Sequence, residues 1–509
     1  MVLTWVDLAL AACALPLVFK LITRRSTPPP PPGPRRLPLL GNILDMPSEK
    51  EWIKFSEWGQ TYGDISSVSV FGQQMTIINS AQVAMDILDK KSSIYSDRPV
   101  VPMGGELVGW KNTLALTPYG ERFRNYRRLA HSVFGSRSSM AGFEPLEETE
   151  THRFLKRLVS TPDGLQDHIR KAAGAIILRI SHGYQVQEGA DPFVTLADIA
   201  TEQFSLSSSP GGFLVNLIPP LRHLPSWFPG ADFQKTAKAW AETLCQMVEQ
   251  PFQFVKQEIA AGSAEKSLVS ILLDGKTLSP NEEFDVKWLS ASLYSGGADT
   301  TVAAIYAFFK AMVLYPDVQK KAQQEIDAVV GNDRLPGFSD KHQLPYITAL
   351  ALEVLRWHSV APTGVPHRVT EDDVHEGWFL PKGSLVITNI WKMAHDPRVY
   401  SNPMVFEPDR FIAKDGKKPE LDPRDLAFGF GRRICPGRDL ADASIFITCV
   451  MTLAVFNISK HPDGGEINME QTTGTISHPS TFKCLVQPRS KKALEIIQGD
   501  VRLDACTVA

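Results

Sequence analysis

The chain has 509 residues, of which 43% are apolar and 21% charged, a composition typical of folded proteins that excludes a largely disordered one. Its formal net charge is −3, and without a long Lys/Arg run it does not resemble a nucleic-acid-binding protein. Six cysteines without a C-x-x-C pair argue against a disulfide framework and against structural zinc, and they suit a reducing compartment.

The N-terminus predicts a membrane anchor. Residues 2–22 are nearly all apolar, broken only by Asp7 and Lys20. About 20 such residues span a bilayer as a helix. Arg24 and Arg25 follow the stretch, which by the positive-inside rule directs the body to the cytosol. A cleaved signal peptide is the alternative, but its positive charges precede the apolar run. We therefore predict a single-pass anchor over residues 1–25.

A proline-rich segment follows the anchor and reads TPPPPPGPRRLPLLGN from Thr27 to Asn42. Proline runs prefer the stiff polyproline II conformation. We predict that residues 26–42 are a hinge that holds the body at a set angle to the membrane. A ligand for proline-binding modules is the alternative.

The body, residues 43–509, predicts a mainly α fold with small β-sheets. Alternating residues at 65–79 and 377–390, each with a Gly-containing turn, predict two hairpins. Ser279 and Glu282 form a capping box that starts a long helix. The predicted helices run from Pro280 to Tyr315, from Pro316 to near Gly331, from Pro345 to about Trp357 and over residues 439–456.

The long helix carries Gly296 and Gly297 in its interior. Each costs roughly 1 kcal/mol relative to alanine, which indicates that a bulky group approaches the backbone there. Asp299 and Thr300 follow, and the Thr300 hydroxyl is expected to bond a carbonyl one turn back. Contact between two helices at small residues, with a satisfied polar pair, is the alternative.

Two further segments carry charges in apolar surroundings. Glu353 and Arg356 in EVLR are neighbours on one helix face, which by itself indicates a surface ion pair. Arg410 in FEPDRF lies between apolar residues, where it needs a carboxylate partner.

The stretch FGFGRRICPG surrounds Cys435 with glycines. A lone cysteine is commonly only a small apolar residue. Here Gly429, Gly431 and Gly437 would let the backbone pass close to a large planar group, and the following helix N-terminus would stabilise a thiolate. Arg433 would meet an anionic edge of that group. A thiolate on a flat macrocycle with carboxylates indicates haem iron.

These motifs resemble those of the cytochrome P450 family. FGFGRRICPG matches the haem-binding signature F-x-x-G-x-R-x-C-x-G. GGADTT resembles the oxygen-activating helix motif, EVLR the Glu-x-x-Arg motif and FEPDRF a third segment of the family. The resemblance covers essentially the whole chain. It implies the cytochrome P450 fold, mainly α with small β-sheets plus an N-terminal transmembrane helix, and a haem-thiolate catalytic domain over residues 43–509 that binds haem b.

The resemblance also implies residue roles. One departure from the family pattern is Phe123, where a tryptophan is usual, so that haem anchoring is expected to depend more on Arg127. The implied roles are Cys435 as axial thiolate and metal ligand; Thr300 and Asp299 as proton-delivery pair; Glu353, Arg356 and Arg410 as a structural triad behind the haem; Arg433, His367 and Arg127 as propionate partners; and Phe428 and Gly431 as signature positions of the cofactor site.

The wider chain resembles basidiomycete secondary-metabolism members of the family, and residues 224–240 resemble the corresponding segment of the fungal tryptamine 4-monooxygenase and O-methylsterigmatocystin oxidoreductase group. This implies monooxygenation of a small apolar metabolite, a terpenoid in preference to an aromatic, indole or polyketide compound. By family position, the substrate pocket is expected to include residues 105–116, Leu293, Ala298, residues 360–365, Thr475 and Ile476. A haem sensor or a haem-thiolate isomerase is the alternative, but neither needs Asp299 and Thr300.

The chain has no Gly-rich motif for flavin or nicotinamide, so electrons are expected from a separate NADPH–cytochrome reductase at the endoplasmic reticulum membrane. A basic docking face is expected near the thiolate side, with scattered solvated charge as the alternative. The residues of this face are Arg122, Arg124, Arg128, Arg432 and Arg438.

Overall fold

The computed structural model describes residues 28–135, 137–208, 212–414 and 416–499. The predicted anchor, residues 1–25, lies outside the described residues, as do the first two residues of the predicted hinge.

Helices form most of the described chain. In chain order they are α1 (Glu51–Tyr62), α2 (Ala81–Ala84), α3 (Ser92–Tyr95), α4 (Glu121–Phe134), α5 (Arg137–Ala141), α6 (Glu144–Ser160), α7 (Leu165–His182), α8 (Pro192–Ser208), α9 (Leu214–Leu217), α10 (Asp232–Ala261), α11 (Leu268–Leu273), α12 (Pro280–Leu314), α13 (Pro316–Val329), α14 (Pro345–Trp357), α15 (Ile390–Ala394), α16 (Arg424–Ala427), α17 (Arg438–Val455) and α18 (Lys491–Gln498). The strands are β1 (Ile65–Val70), β2 (Gln73–Ile78), β3 (His367–Arg368), β4 (Asp373–His375), β5 (Trp378–Leu380), β6 (Leu385–Thr388), β7 (Phe456–Lys460) and β8 (Cys484–Pro488).

The strands form three small sheets, ordered β1-β2-β6-β3, β4-β5 and β7-β8. The predicted hairpin at 65–79 is confirmed: β1 pairs antiparallel with β2, from Ile65 with Ile78 to Val70 with Gln73. Its two turn residues have positive φ, which matches the twist of the strands.

The predicted hairpin at 377–390 is wrong. The positive-φ pair Glu376 and Gly377 forms a tight turn before β5, so β5 pairs with the preceding β4. β6 instead joins the larger sheet, parallel to β2 and antiparallel to β3. Val386 in β6 has no exposed surface, and this burial is available only in the larger sheet.

α12 is the central helix. Its predicted capping box is present, because the Ser279 hydroxyl accepts from the Glu282 backbone while the Glu282 carboxylate accepts from the Ser279 backbone. The helix ends at Leu314, and Pro316 starts α13. Its C-terminal half packs with α14 and α17 in the largest apolar cluster. The helices predicted from Pro316, from Pro345 and over 439–456 are all confirmed within two residues.

In the described part of the chain, α12 is the one helix long and apolar enough to cross a membrane. Its most apolar window is 72% buried inside the protein, which identifies α12 as a core helix.

The described part of the proline-rich segment packs on the first sheet. Ser67 in β1 donates its amide to the Pro32 carbonyl at 2.8 Å and its hydroxyl to the Pro31 carbonyl at 2.6 Å. A Cβ on Gly33 would lie 1.9 Å from the Ser67 carbonyl oxygen, so only glycine fits. Residues 28–42 are therefore attached to the body.

Candidate functional site

A cavity of about 380 Å³ lies beside the N-terminal end of α17. α12 and α7 form one wall, and the loop before α17 forms another. The structure brings six predicted site residues to this cavity, namely Thr300, Arg127, His367, Phe428, Arg433 and Cys435. Five others lie outside its lining, namely Asp299, Gly431, Glu353, Arg356 and Arg410.

The loop around Cys435 is held by its own backbone. The Cys435 amide donates to the Phe428 carbonyl at 2.8 Å, which closes the loop. Gly429 and Gly437 line the cavity, as predicted for backbone that passes close to a bound group. Gly431 has a different reason to be glycine. Its φ is +56°, and a Cβ there would lie 2.2 Å from the Leu88 carbonyl oxygen, so Gly431 supports the loop from behind.

Cys435 lines the cavity and has exposed surface there. Burial raises the pKa of this thiol, while the Gly437 amide and the Arg127 guanidinium act in the opposite direction. A nearby cation stabilises the thiolate form of a cysteine. The donor chemistry of the Cys435 sulfur therefore fits a metal in the cavity.

Two predicted arginines present positive charge to the cavity without a carboxylate partner among the described residues. Arg433 donates to the carbonyls of Ser96 at 2.6 Å and Thr117 at 2.7 Å. Arg127 donates to the Ile434 carbonyl at 2.6 Å. Burial lowers the pKa of both guanidinium groups, that of Arg433 to about 10. The carbonyl groups accept hydrogen bonds from both guanidinium groups but carry no net negative charge that would neutralise them. This arrangement therefore fits an anionic ligand.

Arg98 is a third such arginine, which sequence reasoning missed. It lines the cavity and donates to the carbonyls of Ala115, Val365 and Pro366 at 2.6–2.9 Å. Burial holds its pKa well below the ordinary arginine value, and the neighbouring Arg433 acts in the same direction. The sequence does contain a signal for Arg98, because it lies directly before the apolar run PVVPM. Like Arg410, an arginine among apolar residues needs a partner.

Phe123, the departure from the family pattern, packs against Arg433. The ring centroid lies 3.8 Å from the guanidinium carbon, within the range of a cation–π contact. His367 uses its Nδ1–H to donate to the Tyr95 carbonyl at 2.7 Å. Burial, followed by Arg98, holds the His367 pKa well below the ordinary value. An anion in the cavity would oppose that shift, since a nearby negative charge favours the protonated ring.

Thr300 and Asp299 point in different directions. The Thr300 hydroxyl donates to the Gly296 carbonyl at 2.7 Å, the bond predicted one turn back, and Thr300 lines the cavity. Asp299 lies outside the lining, with Oδ1 3.0 Å from Nε2 of His478. Sequence reasoning missed His478, which lies far from Asp299 along the chain.

Gly296 and Gly297 are glycine for different structural reasons. A Cβ on Gly297 would lie 2.9 Å from the Ile177 side chain in α7, so close contact between two helices explains this glycine. A Cβ on Gly296 would meet no protein atom within 4 Å. Gly296 lines the cavity, so open space for a bound group lies beside it.

Glu353, Arg356 and Arg410 meet in the interior. Arg356 binds both carboxylate oxygens of Glu353 at 2.7 Å, and Arg410 Nε lies 3.2 Å from Oε1 of Glu353. All three side chains are at most 1% exposed, so the surface ion-pair alternative is wrong. Arg410 has a second carboxylate partner that the sequence did not indicate, Glu420, at 2.7 Å.

About half of the predicted substrate pocket lines the cavity, whereas Ala298 and most of residues 105–116 do not. The part that lines the cavity comprises Trp110, Thr113, Leu114, Ala115, Leu293, Val360, Ala361, Gly364, Val365, Thr475 and Ile476. Helices α7 and α8 add lining residues that were not predicted, namely Ala173, Ile176, Ile177, Thr201 and Phe204.

The chain matches the family model described as Cytochrome P450 over residues 31–486. It is 52% identical to "Cytochrome P450 monooxygenase 208" of Postia placenta, over 92% of each chain. It is 48% identical to "Cytochrome P450 monooxygenase claR" of Ampulloclitocybe clavipes, over 100% of this chain and 95% of that one. It is 45% identical to "Cytochrome P450 monooxygenase ppsD" of Aspergillus oryzae, over 92% and 90%.

Haem with an axial cysteine thiolate is the cofactor of this family. The open thiol of Cys435 and the uncompensated cations of Arg98, Arg127 and Arg433 fit an iron macrocycle with carboxylates. The chain belongs to the cytochrome P450 family of haem-thiolate monooxygenases.

Proposed function

We propose that this chain oxidises a small apolar secondary metabolite of a fungal pathway, using O2 and electrons from an NADPH–cytochrome reductase. A terpenoid is the favoured substrate class, and an aromatic, indole or polyketide metabolite is the alternative. One observation carries the proposal: a single cavity joins the Cys435 thiol, the Thr300 hydroxyl and an apolar wall.

When bound, haem supplies oxygen activation, which an axial thiolate favours by donating electron density to the iron. Cys435 would be that ligand, while Arg98, Arg127, Arg433 and His367 would hold the carboxylates of the macrocycle. The Thr300 hydroxyl lies at the cavity and can pass its proton to a reacting group there once it leaves the Gly296 carbonyl, to which it donates. Its presence there counts against a haem sensor or an isomerase, which needs no such donor.

The wall on the substrate side supports an apolar ligand. Ile176, Ile177, Phe204 and Leu293 contribute side chains to it, together with a few hydroxyl groups. The charged lining residues are Arg98, Arg127, Arg433 and the titratable His367. No carboxylate occurs among the lining residues of the described chain, so a cationic substrate has no ion-pair partner there.

A basic surface supports docking of the reductase near Cys435. Arg124 and Arg432 come from different segments of the chain, and both contact Tyr119. Arg432 donates to the Tyr119 hydroxyl at 2.6 Å, and the Arg124 guanidinium carbon lies 5.8 Å from the Tyr119 ring centroid. Arg128 is also exposed, and it donates to the side-chain Oδ1 of Asn125 at 2.7 Å. Two members of the predicted face have carboxylate partners, namely Arg122 with Asp285 and Arg438 with Asp425.

Exposed apolar side chains support attachment to the endoplasmic reticulum membrane in addition to the predicted anchor. Leu39, within the proline-rich segment, is 93% exposed, and Leu44, two residues after it, is 79% exposed. Trp227 is 80% exposed in another loop. Such residues favour a membrane surface, with the catalytic domain on the cytosolic side.

The proposal is tested by co-expressing the full chain and its reductase in a microbial host that receives candidate terpenoid and aromatic precursors. Microsomes must form an oxidised product that requires both NADPH and O2. Product formation without NADPH would identify an isomerase, and a product from the aromatic set alone would exclude the terpenoid assignment. Arg124→Glu with Arg432→Glu is expected to raise the reductase concentration needed for half-maximal turnover, whereas the exposed Lys238→Glu is not.

A further inference from the structure

The partner of Asp299 is a histidine from a distant segment. His478 lies in the loop between β7 and β8, and its Nε2 is 3.0 Å from Oδ1 of Asp299. At this distance the two side chains form an ion pair when the ring is protonated. The two side chains are 16% and 23% exposed, which places the pair at the edge of the protein interior.

The backbone around His478 is fixed from two sides. The His478 amide donates to the Thr472 hydroxyl at 2.9 Å, and the Thr472 amide donates to the His478 carbonyl at 2.8 Å. The neighbouring Ser477 donates its amide to the Val360 carbonyl and accepts from His358 Nε2. The imidazole is therefore positioned beside α12 by its loop, unlike an ordinary surface histidine.

The second ring nitrogen of His478 is unused. Nδ1 is buried and has no hydrogen-bond partner in the described part of the chain. The ring as a whole is partly exposed, although Nδ1 itself is buried. A ring with Nε2 beside a carboxylate can give it a proton there and, once the carboxyl has turned away, take another from solvent at the same nitrogen.

We propose that His478 positions Asp299 and supplies it with protons from solvent, which makes it the outer residue of the route to Thr300. This inference rests on the proposed roles of Asp299 and Thr300. A protonated His478 gives its Nε2 proton to the Asp299 carboxylate, so that the carboxyl becomes neutral and the ion pair is lost. The freed carboxyl turns toward the cavity, delivers the proton and returns as a carboxylate, and a hydronium ion from solvent protonates the ring again at Nε2.

The proposal is tested with the full chain in microsomes with reductase, without an added substrate. There NADPH and O2 give hydrogen peroxide at one NADPH each, or two waters at two NADPH per O2. His478→Gln keeps a side-chain N–H for Asp299 but cannot relay protons, and His478→Phe removes both properties. We expect about tenfold slower NADPH consumption in both, with an unchanged spectrum of the reduced CO complex. Lys50→Gln, which breaks the ion pair with Glu470 near the same loop, is the control and should match wild type.

The pH profile separates proton supply from a structural role. Wild-type consumption should fall with rising pH, because the protonated ring is the proposed proton source, and His478→Gln should lose this dependence. If Asp198→Asn keeps the wild-type pH profile, the neighbouring Asp198 carboxyl is not the source of the pH dependence. The other titratable and charged groups around the pair are Asp198, Arg170, Asp167, His358 and Lys310.

One double variant, Asp299→Asn with His478→Gln, completes the test in two measurements. Its NADPH consumption should be no slower than that of Asp299→Asn alone. The shifts of the thermal midpoint caused by the two single substitutions should be non-additive in it. Wild-type rate and pH profile in His478→Gln would overturn the inference while Asp299→Asn remained slow. If Asp299→Asn and Thr300→Ala also matched wild type, the proposed roles of those two residues would fail instead.

Discussion

Arg356 binds both carboxylate oxygens of Glu353 at 2.7 Å, and neither side chain has any exposed surface. Arg356 also donates to the carbonyls of Ala394, Pro403 and Val405 at 2.6–3.0 Å. One ion pair in α14 thereby fixes a chain segment that precedes the Cys435 loop.

Replacing Glu353 by glutamine is expected to destabilise the protein strongly. The substitution leaves the buried cations of Arg356 and Arg410 without their shared anion, and breaking such a pair typically costs 3–5 kcal/mol, about half of an ordinary protein's stability. The measurement is denaturant unfolding together with haem retention. Lys256→Gln, which breaks an exposed pair with Glu283, is the control and should leave the unfolding midpoint unchanged. Equal midpoints for both variants would show that burial adds nothing to this pair.

The Cys435→Ser variant is expected to lose the red-shifted Soret band of the reduced CO complex, because that band depends on thiolate ligation. The Cys449→Ala variant is the matched control, since Cys449 is fully buried in α17 and lies outside the cavity lining. Survival of the band in Cys435→Ser would assign the axial ligand to another residue.

Thr300→Ala is expected to raise hydrogen peroxide per NADPH consumed. The substitution removes the hydroxyl from the cavity and leaves the Cys435 loop intact, so folding and the CO spectrum should persist. General proton-transfer assistance is typically worth about 10²–10⁴ in rate, enough for peroxide release to compete. Ser290→Ala is the matched control, because its hydroxyl also bonds a carbonyl of α12, that of Lys287, away from the cavity. An unchanged peroxide yield would reduce Thr300 to a packing residue.

Removal of residues 1–25 is expected to shift part of the protein from the membrane to the soluble fraction, with haem retained. Leu39→Ser with Leu44→Ser in the truncated chain should increase that fraction, because these exposed side chains favour the membrane surface. Met404→Ser, which changes an exposed apolar residue elsewhere, should not. The prediction fails if the intact chain is itself soluble.

Glu147→Gln is expected to stabilise the protein increasingly as pH rises from 5 to 8. Glu147 is fully buried and accepts from the Ser444 hydroxyl at 2.7 Å, and burial raises its pKa to about 8. Between an ordinary glutamate pKa near 4.3 and that value, the unfolded chain releases a proton that the folded chain retains, so stability falls with rising pH by at most about 1.4 kcal/mol per unit. Glutamine removes this dependence.

Thermal midpoints of both proteins at pH 5.5, 7 and 8 measure this difference. Parallel curves would mean that Glu147 is ionised in the folded protein throughout that range.

Local signals predicted the helices around the site because their start and stop residues act within one turn. Ser279, Glu282 and Pro316 bound α12 in the structure as they do in the pattern. The hairpin at 377–390 was mispredicted because the turn signal at Gly377 serves the strand before it, and strand pairing depends on which sheet can bury Val386.

The residues of the site likewise divide into those that local motifs predict and those that only tertiary contacts reveal. Motif residues such as Cys435, Arg433 and Thr300 reach the cavity as expected. Arg98 and His478 were not identified, because each acquires its role from a partner far along the chain, the Val365 carbonyl for Arg98 and Asp299 for His478. Glu420 was missed for a different reason: it lies ten residues from Arg410 in an irregular segment, where no helix or strand period predicts contacts.

By itself, the sequence determined the family, the mainly helical character of the body and the residues that carry its motifs, since spacing along the chain specifies helix ends and signature loops. Only the tertiary structure decided which charges are buried, which side chains share a cavity and which partner each polar group has. Burial and pairing depend on contacts between distant segments. The turn of Asp299 away from the cavity and toward His478 is therefore visible only in the folded chain.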